Sequence, residues 1–218
     1  APGFDRQGKP DAAKQAEAVA LAQKAEVVLL CLGLDEIKES EGLDRGDMRL
    51  ADNQIELLKA VQQANPNTVV VLSAGASLET PWLKHCRTLV YGALGGQAGA
   101  GAMLDVLTGK VNPSGKLPMT FAVKYGDAPS DANFPFDYEF KMPSFAMGTG
   151  MNFKSDKKEE KPKEPERNVD FTLYEEGIYV GYRYFDTFGK EVSYPFGHGL
   201  SYTTFEYAVE EYTLTCLI

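Results

Sequence analysis

From Asp11 to Ala25, small and apolar residues recur at helical spacing (Ala12, Ala16, Val19, Ala20, Leu21, Ala22) with lysines and glutamates on the other face. This spacing predicts an amphipathic helix. Val27 to Leu34 is a continuous apolar run of strand length, the pattern of a strand covered on both faces in a parallel sheet. Asp52 to Ala64 repeats the helical pattern through Ile55, Leu57, Leu58 and Val61 and stops at Asn65-Pro66-Asn67, a turn signal. Thr68 to Ser73 reads as a second buried strand, Trp82 and Leu83 as part of a short helix after Pro81, and Thr88 to Tyr91 as a third strand. Gln97 to Leu107 is a helix rich in small residues, entered through Gly95-Gly96 and left at Gly109. Strands alternating with helices predict an α/β fold with a mostly parallel sheet, helices on both faces and right-handed crossovers.

The pattern changes beyond Phe121. The turn signal Asn112-Pro113-Ser114-Gly115 leads into a strand predicted over Leu117 to Phe121. Residues 127–168 lack periodicity, and within them Lys154 to Glu166 is a mixed-charge, proline-containing run that buries too little to fold alone, so a disordered surface insertion is expected. Patterning returns at Phe171 to Tyr174. In the aromatic tract Tyr179 to Phe188, tyrosines two residues apart match a half-buried strand contributing to the core better than a platform for stacking sugars. Thr204 to Leu217 alternates loosely, as the first strand of a following β module would, and antiparallel strands are expected near the carboxyl end.

The 218 residues, 44% hydrophobic and 11% aromatic, suffice for one large domain. A net charge of -9 argues against nucleic-acid or anionic-membrane partners, which require basic surfaces. No apolar run approaches the roughly 18 residues of a membrane span, and no basic segment followed by an apolar one opens the chain. Cys31, Cys86 and Cys216 form no zinc-type cluster and are read as buried free thiols. They lean towards the cytoplasm without excluding the periplasm.

Chemistry concentrates in Lys38-Glu39-Ser40-Glu41-Gly42-Leu43-Asp44-Arg45, a loop directly after the first predicted strand. Open α/β folds place their chemistry at such strand ends. Glu39, Asp44 and Asp47 surround Glu41, and close anionic neighbours raise a carboxyl pKa, as an acid working near neutral pH requires. Gly42 frees the loop to present a side chain, and Arg45 is able to orient a carboxylate or brace the loop. Composition alone is equally consistent with a solvated acidic turn, and it does not choose between Glu39 and Glu41. Asp35 and Glu36 partly mimic the acidic cluster of a flavodoxin-like receiver, but such a domain has no use for the tyrosine-rich carboxyl-terminal segments. Gly92 to Gly101 lacks the Lys-Ser/Thr and the glycine spacing of phosphate loops, so close helix-to-sheet packing explains it better. His198 is read as a packing residue of a glycine turn, His85 as incidental, and Arg183 and Asp186 as structural.

Five blocks, in order, resemble the α/β sandwich domain of glycoside hydrolase family 3, which includes β-glucosidases and β-xylosidases. They are Glu39 to Arg45, Gly95-Gly96-Gln97, Leu107 to Pro118, Tyr174 to Asp186 and Pro195 to Phe205, together covering roughly residues 10–210. The resemblance implies a three-layer sandwich over residues 1–203, followed from 204 to 218 by the start of a fibronectin type III-like module. It also implies a retaining, exo-acting β-glycosidase for terminal β-D-glucosyl or related residues. In that scheme Glu41 is the general acid/base, and Glu39, Asp44 and Arg45 are substrate-binding candidates. The nucleophilic aspartate lies on a TIM-like barrel domain of the same protein, in a segment absent here. The implied partners are a β-glucoside or short oligosaccharide and that barrel, with homo-oligomerisation left open. No cofactor or metal is implied, since two carboxyls suffice for the reaction. The rival reading is a noncatalytic carbohydrate-binding or scaffold module.

Overall fold

The computed structural model describes residues 1–4, 9–42, 45–133 and 173–209. Helix α1 (Ala12–Ala22) starts at Asp11, whose side chain accepts the Lys14 N–H at 3.0 Å and so satisfies one of the free donors of the first turn. Strand β1 (Val28–Gly33), helix α2 (Asp52–Ala64), strand β2 (Thr68–Ser73), a 3-10 turn (Pro81–His85) and strand β3 (Thr88–Tyr91) follow. The three strands form one parallel sheet in the order β1-β2-β3, with Leu30 opposite Val70 and Val70 opposite Leu89.

Strand alternation puts Leu30, Leu32, Val70 and Leu72 on one face. There they join Leu57, Leu58 and Val61 of α2, with Ala22, Leu50, Leu78 and Trp82, in a single core. The buried positions of α2 recur at helical spacing, which is why that segment folds as a helix against the sheet. Asn65 locks the two helix ends together: its side-chain amide donates to the carbonyls of Ala22 at 2.9 Å and Ala25 at 2.7 Å.

The opposite face is only partly covered. Leu29 is 51% exposed, Cys31 is exposed, and Val69 and Val71 are half-buried. This corrects the expectation of a buried Cys31: the apolar run of β1 is continuous in sequence, but its side chains alternate, and α1 and α2 serve one face only. Cys86 is half-buried, and Cys216 lies outside the described residues.

Helix α3 (Gly99–Leu107) follows the glycine loop. A Cβ on Gly92 would lie 2.6 Å from Met103 Cε, and one on Gly95 would lie 2.7 Å from the Gly99 Cα, so close packing accounts for these two glycines; Gly96, Gly99 and Gly101 have open space where a Cβ would stand, and α3 buries none of its residues. Strands β4 (Phe121–Ala122) and β5 (Val192–Tyr194) form a separate antiparallel pair. Phe121 stacks edge-on against Tyr91 at 5.6 Å and Tyr194 at 6.1 Å, which joins this pair to β3. The strand predicted from Leu117 is shorter than expected. Leu117 instead exchanges backbone hydrogen bonds with His198 and Gly197, while Asn112 accepts from Ser201 and the Tyr202 N–H at 3.0 Å.

The aromatic tract departs from its predicted strand. Tyr182–Thr187 is a short helix, α4, entered through Gly181 at φ +56°, a left-handed conformation that glycine adopts without strain. Its rings meet at helical spacing, Tyr184 against Phe188 at 5.4 Å, and Phe185 alone is buried. Tyr182 is 41% and Phe188 53% exposed, so apart from Phe185 this tract is not core. The predicted insertion over 127–168 falls largely outside the described residues, as do Phe171, Thr172 and the strand predicted from Thr204, beyond residue 209.

Candidate functional site

The carboxyl ends of the three strands carry the loop singled out by its acidic residues. Two features end β1. Gly33 passes so close to β2 that a Cβ there would lie 2.3 Å from the Ser73 carbonyl oxygen. The Gln54 side chain accepts the Gly33 N–H at 3.0 Å and donates to its carbonyl at 2.8 Å, tying α2 to the strand's last residue. Beyond it, Asp35 Oδ1 accepts the N–H groups of Ile37 and Lys38 at 3.0 and 2.9 Å, and the Asp35 carbonyl accepts from Glu39 N–H at 3.0 Å. An aspartate bonding to backbone two and three residues on is a local turn former. Here it winds residues 35–39 into one turn.

Glu39 is half-buried, and its Oε1 accepts the Gly75 N–H at 2.7 Å. Glu41 is exposed, in a turn beside Gly42 at φ +77°. Leu43 and Asp44 lie outside the described residues. The chain is held again from Arg45 onward. Asp47 accepts from Lys38 Nζ at 2.7 Å and from the Arg49 N–H at 2.8 Å, the Met48 carbonyl accepts the Glu79 N–H at 2.7 Å, and Leu50 is 1% exposed. The loop is thus fixed at both ends, and Glu41 lies between the fixed parts.

Asp47 is the carboxylate of the loop whose charge is best defined. Burial pushes the Asp47 carboxyl up, but the Lys38 hydrogen bond, the Arg49 N–H and the Lys38 and Arg45 charges outweigh it and hold Asp47 below its ordinary value. Its negative charge is paired with the Lys38 ammonium. Among the described residues, no hydrogen-bond partner reaches the buried Nε and Nη2 of Arg45, and a buried donor without a partner is costly to hold.

On the neighbouring strand ends, the Tyr91 hydroxyl donates to the Ala74 carbonyl at 2.7 Å. Burial and the Glu39 charge both push the Tyr91 phenol up, so it stays protonated as a donor. Sequence reasoning missed this use of Tyr91 and the Glu39–Gly75 bond, because neither is signalled by local spacing. The His198 ring stacks on Tyr194 at 4.8 Å, in line with a packing role. The Arg183 guanidinium lies 5.8 Å from the centre of the Tyr182 ring. Among the described residues no group of three or more His, Cys, Asp or Glu side chains is arranged to hold a metal ion.

Comparison with known proteins agrees with this architecture. The family model described as the glycosyl hydrolase family 3 C-terminal domain matches residues 6–182. The chain is 42% identical over 208 residues to an exo-alpha-(1->6)-L-arabinopyranosidase of Bifidobacterium longum, spanning 94% of this chain and 23% of that protein. It is also 42% identical to thermostable beta-glucosidase B of Acetivibrio thermocellus, spanning 88% of this chain and 21% of that protein. The crystal structure of the Bifidobacterium adolescentis GH3 beta-glucosidase superposes with a TM-score of 0.76 at 41% identity, covering 94% of this chain and 26% of that one. The chain thus spans about a quarter or less of the length of these relatives. Parallel sheet, helices, strand-end loop and family match converge: this chain belongs to the glycosyl hydrolase family 3 C-terminal domain family.

Proposed function

We propose that this chain is the α/β sandwich domain, over residues 1–203, of a retaining, exo-acting β-glycosidase that hydrolyses terminal β-D-glucosyl or related residues. Glu41 is its general acid/base. The observation that carries this reading is the position of Glu41: an exposed carboxyl beside a positive-φ glycine, on a loop fixed at both ends above the carboxyl ends of parallel strands. Retaining glycosidases require two carboxyls roughly 5 Å apart, one to attack the anomeric carbon and one to protonate the leaving oxygen and then deprotonate water. In this proposal a barrel domain of the same polypeptide brings the nucleophilic aspartate against the loop, and substrate binds between them. Closing the barrel over Glu41 excludes bulk water from the reacting groups. Arg45 and Asp44 bind sugar hydroxyls, and residues 204–218 begin a fibronectin type III-like module.

The test is Glu41→Ala in the full-length polypeptide, assayed on aryl β-glucosides with good and poor leaving groups, with and without azide. The expected result is a rate loss of about 10²–10⁴-fold, the usual worth of a positioned acid or base, concentrated on the poor leaving group. Azide restores turnover as β-glycosyl azide. A uniform, modest loss without rescue would exclude Glu41 as acid/base and favour a noncatalytic role for the domain.

A further inference from the structure

We propose that Glu39 is a positioning residue for this reaction, its carboxylate bolting the acidic loop to the carboxyl end of β2 so that Glu41 is held at a fixed place. The inference rests on the reading of Glu41 as acid/base. It is carried by the bond from the Gly75 N–H to Glu39 Oε1, 2.7 Å long and spanning 36 residues of sequence. Among the described residues it is a direct polar tie between the wound turn at 35–39 and the end of β2.

Three neighbours fit that use. A Cβ on Gly75 would stand 3.1 Å from Glu39 Oε1 and 2.8 Å from Leu94 Cδ1, so the approach of carboxylate to backbone suits a residue without a side chain. The Asp35 turn fixes the Glu39 backbone from the other side through the bond from Glu39 N–H to the Asp35 carbonyl, 3.0 Å. Tyr91, donating to the Ala74 carbonyl at 2.7 Å, holds the same Ala74–Gly75 peptide from its carbonyl side. A carboxylate accepting a backbone N–H makes a strong, directional bond. Glu41 lies two residues beyond this anchor and carries the freedom of Gly42 on its far side. Without the anchor, the loop keeps, among the described residues, the Asp35 turn and the Lys38–Asp47 bond before Glu41, neither of which ties it to the end of β2. Displacements of about 1 Å are enough to cost roughly 10²-fold in rate when a reacting group must be aligned.

The experiment compares Glu39→Ala, Glu39→Asp and Glu39→Gln in the full-length polypeptide, reading kcat and KM on a poor-leaving-group aryl β-glucoside and hydrogen exchange in the peptide carrying the Gly75 amide. Expected is a fall in kcat of roughly 10- to 100-fold for Glu39→Ala, with KM changed little, and faster exchange at Gly75. Glu39→Asp keeps the charge but is one methylene too short, so it matches the alanine variant. Glu39→Gln keeps an acceptor oxygen at the right reach and retains most of the rate. A rise in KM with kcat unchanged in Glu39→Ala would overturn the positioning role, make Glu39 a sugar-binding group and leave the role of Glu41 intact. Unaltered Gly75 exchange would overturn the bond itself. Faster exchange together with an azide-insensitive Glu41→Ala would overturn both the positioning role and the acid/base reading beneath it.

Discussion

The two faces of the parallel sheet are built from the same kinds of residue and end up in different surroundings. Leu30, Leu32, Val70 and Leu72 are sealed under α1, α2 and Trp82, while Leu29 and Cys31, alternating with them on the same strand, reach solvent. The difference shows that hydrophobicity along a strand does not determine burial. Burial depends on which face the connecting helices return to, and consecutive parallel strands in the order β1-β2-β3 bring right-handed crossovers back to the same side.

The largest effect should separate the faces by stability. Leu58→Ala, at a fully buried site, is expected to destabilise by about 2–5 kcal/mol through lost burial and a residual cavity. Leu29→Ala, half in water already, should stay within about 0.5 kcal/mol. Denaturant unfolding of the two variants checks this, and equal losses would mean the open face is covered in solution. Next comes reactivity. Cys31 is exposed, whereas Cys86 is half-buried, its Sγ lies 3.2 Å from the Thr88 carbonyl, and burial pushes its thiol up. Cys31 should therefore react with a maleimide at least about tenfold faster, since the thiolate is the attacking species, as read by peptide mapping that separates it from Cys86 and Cys216.

The smallest effect belongs to the rim, beyond both faces, where polar bonds replace packing. Asp47→Asn removes the charge partner of Lys38, and both side chains are 37% exposed, so the loss should be only about 0.5–1 kcal/mol. Because the folded Asp47 titrates below its ordinary value of 3.8, its contribution is complete above that pH. It fades as pH falls through the lower folded value. Thermal melts at pH 7 should separate wild type from Asp47→Asn, and melts near pH 2–3 should bring them together.

Where long-period patterns and breakers agree, the sequence carried the fold. α2 and β2 have the bounds expected from Asp52 to Ala64 and from Thr68 to Ser73, because Asn65-Pro66-Asn67 interrupts the chain between them. The tract from Tyr179 to Phe188 was ambiguous for a physical reason: aromatic residues are so dense there that periods of two and of three to four both fit. The positive φ of Gly181 and the buried Phe185 resolve it as a helix. The loop with Glu41 was legible from its place after a strand. Its bracing was not, since Lys38 to Asp47 and Glu39 to Gly75 are pairings across a turn and between strand ends, which composition does not specify.

The Gln54 amide, doubly bonded to Gly33, has a consequence for how such a domain diversifies. It closes the end of β1 with a side chain from α2, so that strand end is held apart from the exposed middle of the loop. Rewriting residues 40–46 alters what the loop presents without unravelling the strand beneath it, because Glu39 on Gly75 and Leu50 in the core stay in place. The clamp therefore separates the inheritance of the scaffold from the inheritance of specificity, and it marks residues 40–46 as the stretch into which a loop from a relative is best grafted.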